Sequence, residues 1–221
     1  MTVKDGVADI ICSGSVHGDI KLSGCADIVR ISGVVMGNVT LGDGANVFWL
    51  TGGRVMDIVC GGFGDDTYHV DRSDTVISDT KGGIDVVHAS ASFRLAAGWD
   101  NLVLLGPQPL TGMGNAGANM IHGDTGDDVI RGLAGNDILI GGEGNNRLIG
   151  GTGADTLRGG EGSDRIAGGP GDDTVYVGLG KDKLFGGAGR DVLRFDELTT
   201  ASGVIANLAT SKASFEDQGD G

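Results

Sequence analysis

Aliphatic residues in the second half of the chain recur every nine positions. From residue 114 the sequence divides into nine consecutive blocks of nine, without insertion, ending at residue 194. The eighth position is aliphatic in every block: Ile121, Ile130, Leu139, Leu148, Leu157, Ile166, Val175, Leu184 and Leu193. A single aliphatic residue flanked by polar or small ones predicts a very short strand with one side chain facing inward. One nonapeptide cannot bury that residue alone. Two consecutive blocks form one coil, and stacked coils join the single aliphatics into two continuous ladders of parallel strands. The predicted class is all-β, a parallel β-roll or β-solenoid with 18–19 residues per coil.

The first third has a longer period. The segment Gly14-Ser15-Val16-His17-Gly18-Asp19-Ile20-Lys21-Leu22 matches Gly33-Val34-Val35-Met36-Gly37-Asn38-Val39-Thr40-Leu41 at a shift of 19. A further 19 reaches the segment that begins at Gly52 and ends at Cys60. This spacing stacks Cys60 on Leu41 and Leu22, and puts Cys12 near Ile31 and Leu50. Both then read as core residues. Residues 61–69 form one complete nonapeptide. Residues 70–113 break the strict period, with longer strands expected over 74–78, 85–95 and 101–105. Four regions follow: looser coils over 1–69, widened linking coils over 70–113, the nine nonapeptides over 114–194, and a partial further module over 195–221. A strand is expected over 203–208. The module stops short, so a fragment or a truncated reading frame is expected.

Polar positions of the nonapeptide are as regular as the aliphatic one. The fourth is Gly in all nine blocks, and the first is Gly in eight, with Val177 as the exception. The sixth is Asp at Asp128, Asp137, Asp155, Asp164, Asp173, Asp182 and Asp191, and Asn at Asn119 and Asn146. Glycine at loop positions permits a tight turn with carbonyls directed inward. Composition follows the same bias: 44 of 221 residues are Gly, and 26 Asp stand against 4 Glu. A preference for the shorter acid indicates that the distance from backbone to carboxylate matters, as it does in oxygen-ligand loops.

The formal net charge is −14. That excludes an electrostatic nucleic-acid binder, which needs a basic surface to displace counterions, and disfavours an anionic membrane surface. Two loops one coil apart, each with an Asp carboxylate and several backbone carbonyls, supply the six to eight hard oxygens that Ca²⁺ takes. Mg²⁺ fits such a loop less well because it retains water in a rigid octahedron. Zn²⁺ would want His or Cys at a recurring position, and none recurs. Pairing by 18 puts Asn119, Asp137, Asp155, Asp173 and Asp191 on one edge and Asp128, Asn146, Asp164 and Asp182 on the other. Pairs containing an Asn should bind more weakly. The loop of Asp182, with Val177 first and Lys181 adjacent, departs most from the pattern. The alternative reading is a set of Asx turns that cap the corners without metal.

These blocks resemble the RTX, or haemolysin-type, calcium-binding nonapeptide family, G-G-x-G-x-D-x-U-x. The resemblance covers 114–194 and the single unit at 61–69. It implies a right-handed β-roll with several Ca²⁺ ions held between stacked loops. By position, the ligands would be the nine residues above, with Asp66 of the isolated unit. The resemblance also implies loop carbonyls from Gly132, Gly135, Gly141, Gly144, Gly150, Gly151, Gly153, Gly159, Gly160, Gly162, Gly168, Gly169, Gly171, Gly186, Gly187 and Gly189. It further implies export by a type I secretion system and an extracellular location. Consistently, residues 1–6 contain no apolar core of a cleavable signal, and no apolar run approaches the ~20 residues of a membrane span.

No HExxH, no G-x-S-x-G and no phosphate-binding loop occurs, and the four His are scattered and read as surface positions. Catalysis is therefore not expected. The expected function is a calcium-binding module of a secreted bacterial protein that folds when it meets Ca²⁺ outside the cell. The alternatives are a structural or adhesive solenoid, and a non-catalytic calcium-binding part of a larger secreted enzyme or toxin. Position three shows no Thr ladder, which disfavours an ice-binding face.

Overall fold

The computed structural model describes residues 6–78, 82–194, 205–207 and 214–215. Every regular element among them is a β-strand, and every strand pairing among them is parallel. The chain is a β-solenoid of short stacked coils. Two compact units divide it, Met1–Ser92 with Gly98–Asn101, and Phe93–Ala97 with Leu102–Gly221. Residues 1–5, 79–81, 195–204, 208–213 and 216–221 lie outside the description. Of the expected strand over 203–208, residues 205–207 are described and form a strand, Ile205–Asn207; the acidic end at 216–221 lies outside the description.

The first unit stacks Asp9–Cys12, Ile28–Ile31, Val47–Leu50, Thr67–Val70 and Val86–Ala89 as one ladder. Ile20–Lys21, Val39–Thr40, Ile58–Cys60 and Val76–Ser78 form a second, and Ser15–Val16, Val34–Val35 and Arg54–Val55 a third. Burial alternates along each strand, so Val29, Phe48, Tyr68 and Val87 face inward. Cys12 pairs with Ile31, and Ile31 with Leu50, as the period of the first third requires.

The third coil is one residue longer than that period. Val34 pairs with Arg54 and Val39 with Val59, where the period alone would pair Val34 with Gly53 and Val39 with Ile58. Cys60 therefore stands opposite Thr40 and is half-buried, whereas Val59 is buried against Val39. The stacking of Cys60 on Leu41 and Leu22 is thus corrected. The extra residue is Gly52. Its φ of +68° is a left-handed conformation, and its α-carbon faces open space. Gly53, not Gly52, fits against the carbonyls of Ile31 and Gly33. A one-residue slip turns every side chain of a strand to the other face. All three cysteines are free thiols.

The histidines are less scattered than their sequence positions suggest. His17 and His122 are exposed, but His69 and His88 are half-buried and pair in register. The Trp49 and His69 rings stack 3.5 Å apart, and His69 stacks on His88 at 4.8 Å. Desolvation, with a contribution from His88, lowers the His69 pKa to about 4, and burial lowers that of His88, which keeps the pair neutral at pH 7.

The second unit has two ladders. Met120–His122, Ile138–Gly142, Thr156–Gly160, Thr174–Tyr176, Val192–Arg194 and Ser214–Phe215 form one. Phe93–Arg94, Thr111–Met113, Val129–Ala134, Arg147–Thr152, Arg165–Pro170, Lys183–Ala188 and Ile205–Asn207 form the other. The eighth-position aliphatics pair as expected with every second block, Ile121 through Leu193 on one side and Ile130 through Leu184 on the other. Each is buried, and eight of the nine are wholly so. At the second position Leu133 replaces glycine and still adopts φ +88°, close to the glycines stacked with it.

Candidate metal centre

The sixth residue of each nonapeptide ends a Gly-rich corner and begins a strand. In the first seven nonapeptides its backbone N–H finds its partner in the next coil. Asn119 N–H donates to Asp137 Oδ1 at 2.7 Å, Asp137 to Asp155 at 2.8 Å, Asp155 to Asp173 at 2.9 Å and Asp173 to Asp191 at 3.2 Å. On the opposite edge Leu110 donates to Asp128, Asp128 to Asn146, Asn146 to Asp164 and Asp164 to Asp182 at 2.8–3.0 Å. The two edges read from the sequence are thus two buried spines, with every Asp and Asn in them no more than 4% exposed. A carboxylate at the length of Asp is required because Oδ1 must meet a backbone N–H one coil away.

That bond uses only one oxygen. Oδ2 of Asp128, Asp137, Asp155, Asp164, Asp173 and Asp182 is buried and has no hydrogen-bond partner. A buried carboxylate oxygen left unpaired is costly and calls for a counterion. Most sit beside the first glycine of their own block. A β-carbon on Gly132 would strike Asp137 Oδ2 and stand 2.7 Å from the Gly150 carbonyl oxygen. One on Gly150 would strike Asp155 Oδ2 and stand 2.6 Å from Gly168 O, and one on Gly168 would strike Asp173 Oδ2 and stand 2.6 Å from Gly186 O. Glycine keeps open a cradle lined by a carboxylate oxygen and a carbonyl oxygen from the next coil. Gly123, Gly159 and Gly186 likewise leave room beside Asp128, Asp164 and Asp191. In the block of Asp182 this position carries the buried Val177.

Hard oxygens of this kind suit Ca²⁺, which accepts carboxylate and backbone ligands in flexible geometry. No group of three or more His, Cys, Asp and Glu side chains converges among the described residues. Carbonyls must therefore complete any coordination sphere, as the loop composition indicates. Asn146 is already satisfied. Its Oδ1 accepts from Asp128 N–H, so its Nδ2 faces the carbonyls of Glu143 and Gly144 at 3.3 and 3.4 Å. This rung places an amide donor where the Asp rungs leave a bare oxygen.

Burial sets the electrostatics of the spines. It pushes Asp137, Asp164 and Asp173 up to about 6, against the backbone hydrogen bond that each accepts. Neighbouring carboxylates add to the rise: Asp155 beside Asp137, Asp182 beside Asp164, and Asp155 and Asp191 beside Asp173. Asp128, Asp155 and Asp182 are also raised, chiefly by burial. A carboxyl group raised in the folded state favours the fold when protonated. Its contribution is complete below about pH 4 and is lost as pH rises through 6. The metal-free second unit should therefore be more stable at pH 5 than at pH 7. A Ca²⁺ ion held by these carboxylates would displace their protons, so its affinity is expected to fall between pH 7 and 5, and Ca²⁺ added at pH 6 to release protons. A pH-stat titration checks this, and calcium uptake at pH 6 without proton release would contradict it.

Two features escape sequence reasoning. An outer file runs at position five, where Asp127 Oδ1 accepts from Asn145 N–H, Asn136 from Ala154, Asn145 from Ser163, and Asp172 from Arg190. The polar bias of that position is the available signal. The second is a spine in the first unit. Ala8 N–H donates to Asp27, Asp27 to Asn46, Asn46 to Asp66, and Asp66 to Asp85, all at 2.7–2.9 Å. Of these acceptors the nonapeptide pattern marks only Asp66, although Ala26-Asp27 and Ala45-Asn46 already match at a shift of 19.

Stacked nonapeptide corners with inward carboxylates and carbonyls define the class: a calcium-type repeat solenoid. A family model of the RTX calcium-binding nonapeptide repeat matches in four overlapping copies, over residues 113–148, 140–175, 149–184 and 158–193. Residues 113–193 carry RTX calcium-binding repeats. No curated protein matches the chain. No helix among the described residues is long and apolar enough to cross a membrane.

Proposed function

We propose that this chain is a non-catalytic calcium module whose second unit folds on binding several Ca²⁺ ions through its two Asp spines. The observation that carries this reading is the set of six buried, unpartnered Oδ2 atoms along those spines. Without a cation each represents uncompensated buried charge, so calcium binding energy becomes folding energy. The matched repeats support Ca²⁺ as the ion. Extracellular calcium modules work at about 10⁻⁴–10⁻³ M. Such an affinity would leave the unit loose in a calcium-poor cytosol and ordered outside the cell. This fits export through a type I secretion system and an extracellular location.

Isothermal titration of the full chain with CaCl₂ tests the assignment. More than one ion per chain should bind, and excess Mg²⁺ should not replace them. Failure to bind Ca²⁺ at millimolar concentration would refute it. The spines also rank the sites. Asp155 is hydrogen-bonded to an Asp on both sides, Asp137 and Asp173. Asp128 has Asn146 as its partner in the next coil, with the amide already engaged. Asp155→Ala should therefore reduce the number of bound ions more than Asp128→Ala. Equal losses would argue against binding between rungs.

A further inference from the structure

We infer that the first unit is a metal-independent section of the solenoid, in which the chain's own hydrogen-bond donors take the place that a cation takes in the second. This rests on the calcium reading above and adds a boundary to it. Both units carry the same device, a buried Asx whose Oδ1 accepts the N–H of the preceding coil. They differ in what meets the remaining polar atom.

In the first unit the Asn46 carbonyl oxygen faces Asp27 N–H at 2.9 Å, which fixes the orientation of the amide. Its Nδ2 then donates to Gly42 O and Gly44 O, each at 3.0 Å. These are loop carbonyls of its own corner, the kind of oxygen that would ligate an ion. One rung on, Asp66 Oδ2 accepts from Tyr68 O–H and from Gly62 N–H, both at 3.3 Å. Along this spine Asp27, Asp66 and Asp85 are buried, yet none leaves a buried carboxylate oxygen without a partner; away from the spine, Asp71 Oδ1 is the first unit's one such oxygen among the described residues, on a carboxylate whose Oδ2 accepts from Gly52 N–H. In the second unit six such oxygens are left. Asn146 is one of the exceptions there, and it uses the same amide-to-carbonyl arrangement as Asn46. At Asn46 and Asp66, donors already in place remove both the need for a cation and the room for one.

Both tryptophans lie in the first unit, and Trp99 is 3% exposed with its ring 4.8 Å from that of Tyr68. Tryptophan emission therefore reports the first unit alone, while far-UV circular dichroism reports both. In excess EGTA the full chain should lose part of its β-signal while its tryptophan emission stays at the folded wavelength. Emission shifted to that of the urea-unfolded chain would overturn the inference. A β-signal also unchanged in EGTA would instead overturn the calcium reading and, with it, the contrast between the units.

Asn46→Asp replaces the amide donor with a carboxylate aimed at Gly42 O and Gly44 O. Its emission should shift to the red in EGTA and return with millimolar Ca²⁺. Emission indifferent to calcium in this variant, whether folded or unfolded throughout, would contradict the idea that the amide stands in for the ion.

Discussion

Gly150→Ala should abolish calcium binding at its cradle and destabilise the second unit by about 1–3 kcal/mol, the usual cost of forcing a methyl group into filled space. The new β-carbon would meet Asp155 Oδ2 and stand 2.6 Å from Gly168 O. Neither can retreat easily. Gly168 O is backbone in a neighbouring strand, and Asp155 is held through Oδ1 by Asp137 N–H. The methyl group also occupies the volume that the ion requires. Calcium titration should show at least one ion fewer and a lower melting temperature in saturating Ca²⁺. Gly24→Ala is the control, since a β-carbon there meets nothing within 4 Å. Equal calcium stoichiometry in the two variants would mean that the cradle is not the binding site.

Leu157→Ala should cost about 2–5 kcal/mol, as large-to-small changes do in a rigid core. Leu157 is wholly buried and stacked between Leu139 and Val175. A solenoid coil contacts only the coils next to it, so no distant side chain can fill the gap. The loss should appear in the urea midpoint of the second unit, with calcium saturating, while tryptophan emission of the first unit is unaffected. A shift below about 1 kcal/mol would mean that the ladder of single aliphatics is not the core of this unit.

The nonapeptides are legible because each position has one physical task and the task repeats. An inward aliphatic at position eight and an Asx at position six define the coil length, the two ladders and both spines over 114–194. What the sequence hides is mostly a matter of single atoms. The division of labour between Oδ1 and Oδ2 depends on which oxygen meets the N–H of the coil before it. That geometry has no signature in residue type.

Spacing alone also misleads at two places. Gly52 and Gly53 look equivalent as a pair, so the period makes the third coil one residue too short and puts Cys60 where Val59 packs. His69 and His88 look unrelated in sequence, and they form a stacked pair only because one full coil separates them. The spine of the first unit is hidden for a related reason. Asp27 and Asp85 lack the full glycine pattern and Asn46 keeps it only at Gly42 and Gly44, so the register in three dimensions is what shows that they do the same structural work as Asp155.

Far-UV circular dichroism of the intact chain, first in EGTA and then titrated with CaCl₂ at pH 7, tests the central claim most directly. Without calcium a partial β-signal is expected, with a saturable rise as the buried Asp oxygens of the second unit gain their ions. A spectrum already complete in EGTA and unmoved by millimolar Ca²⁺ would contradict it.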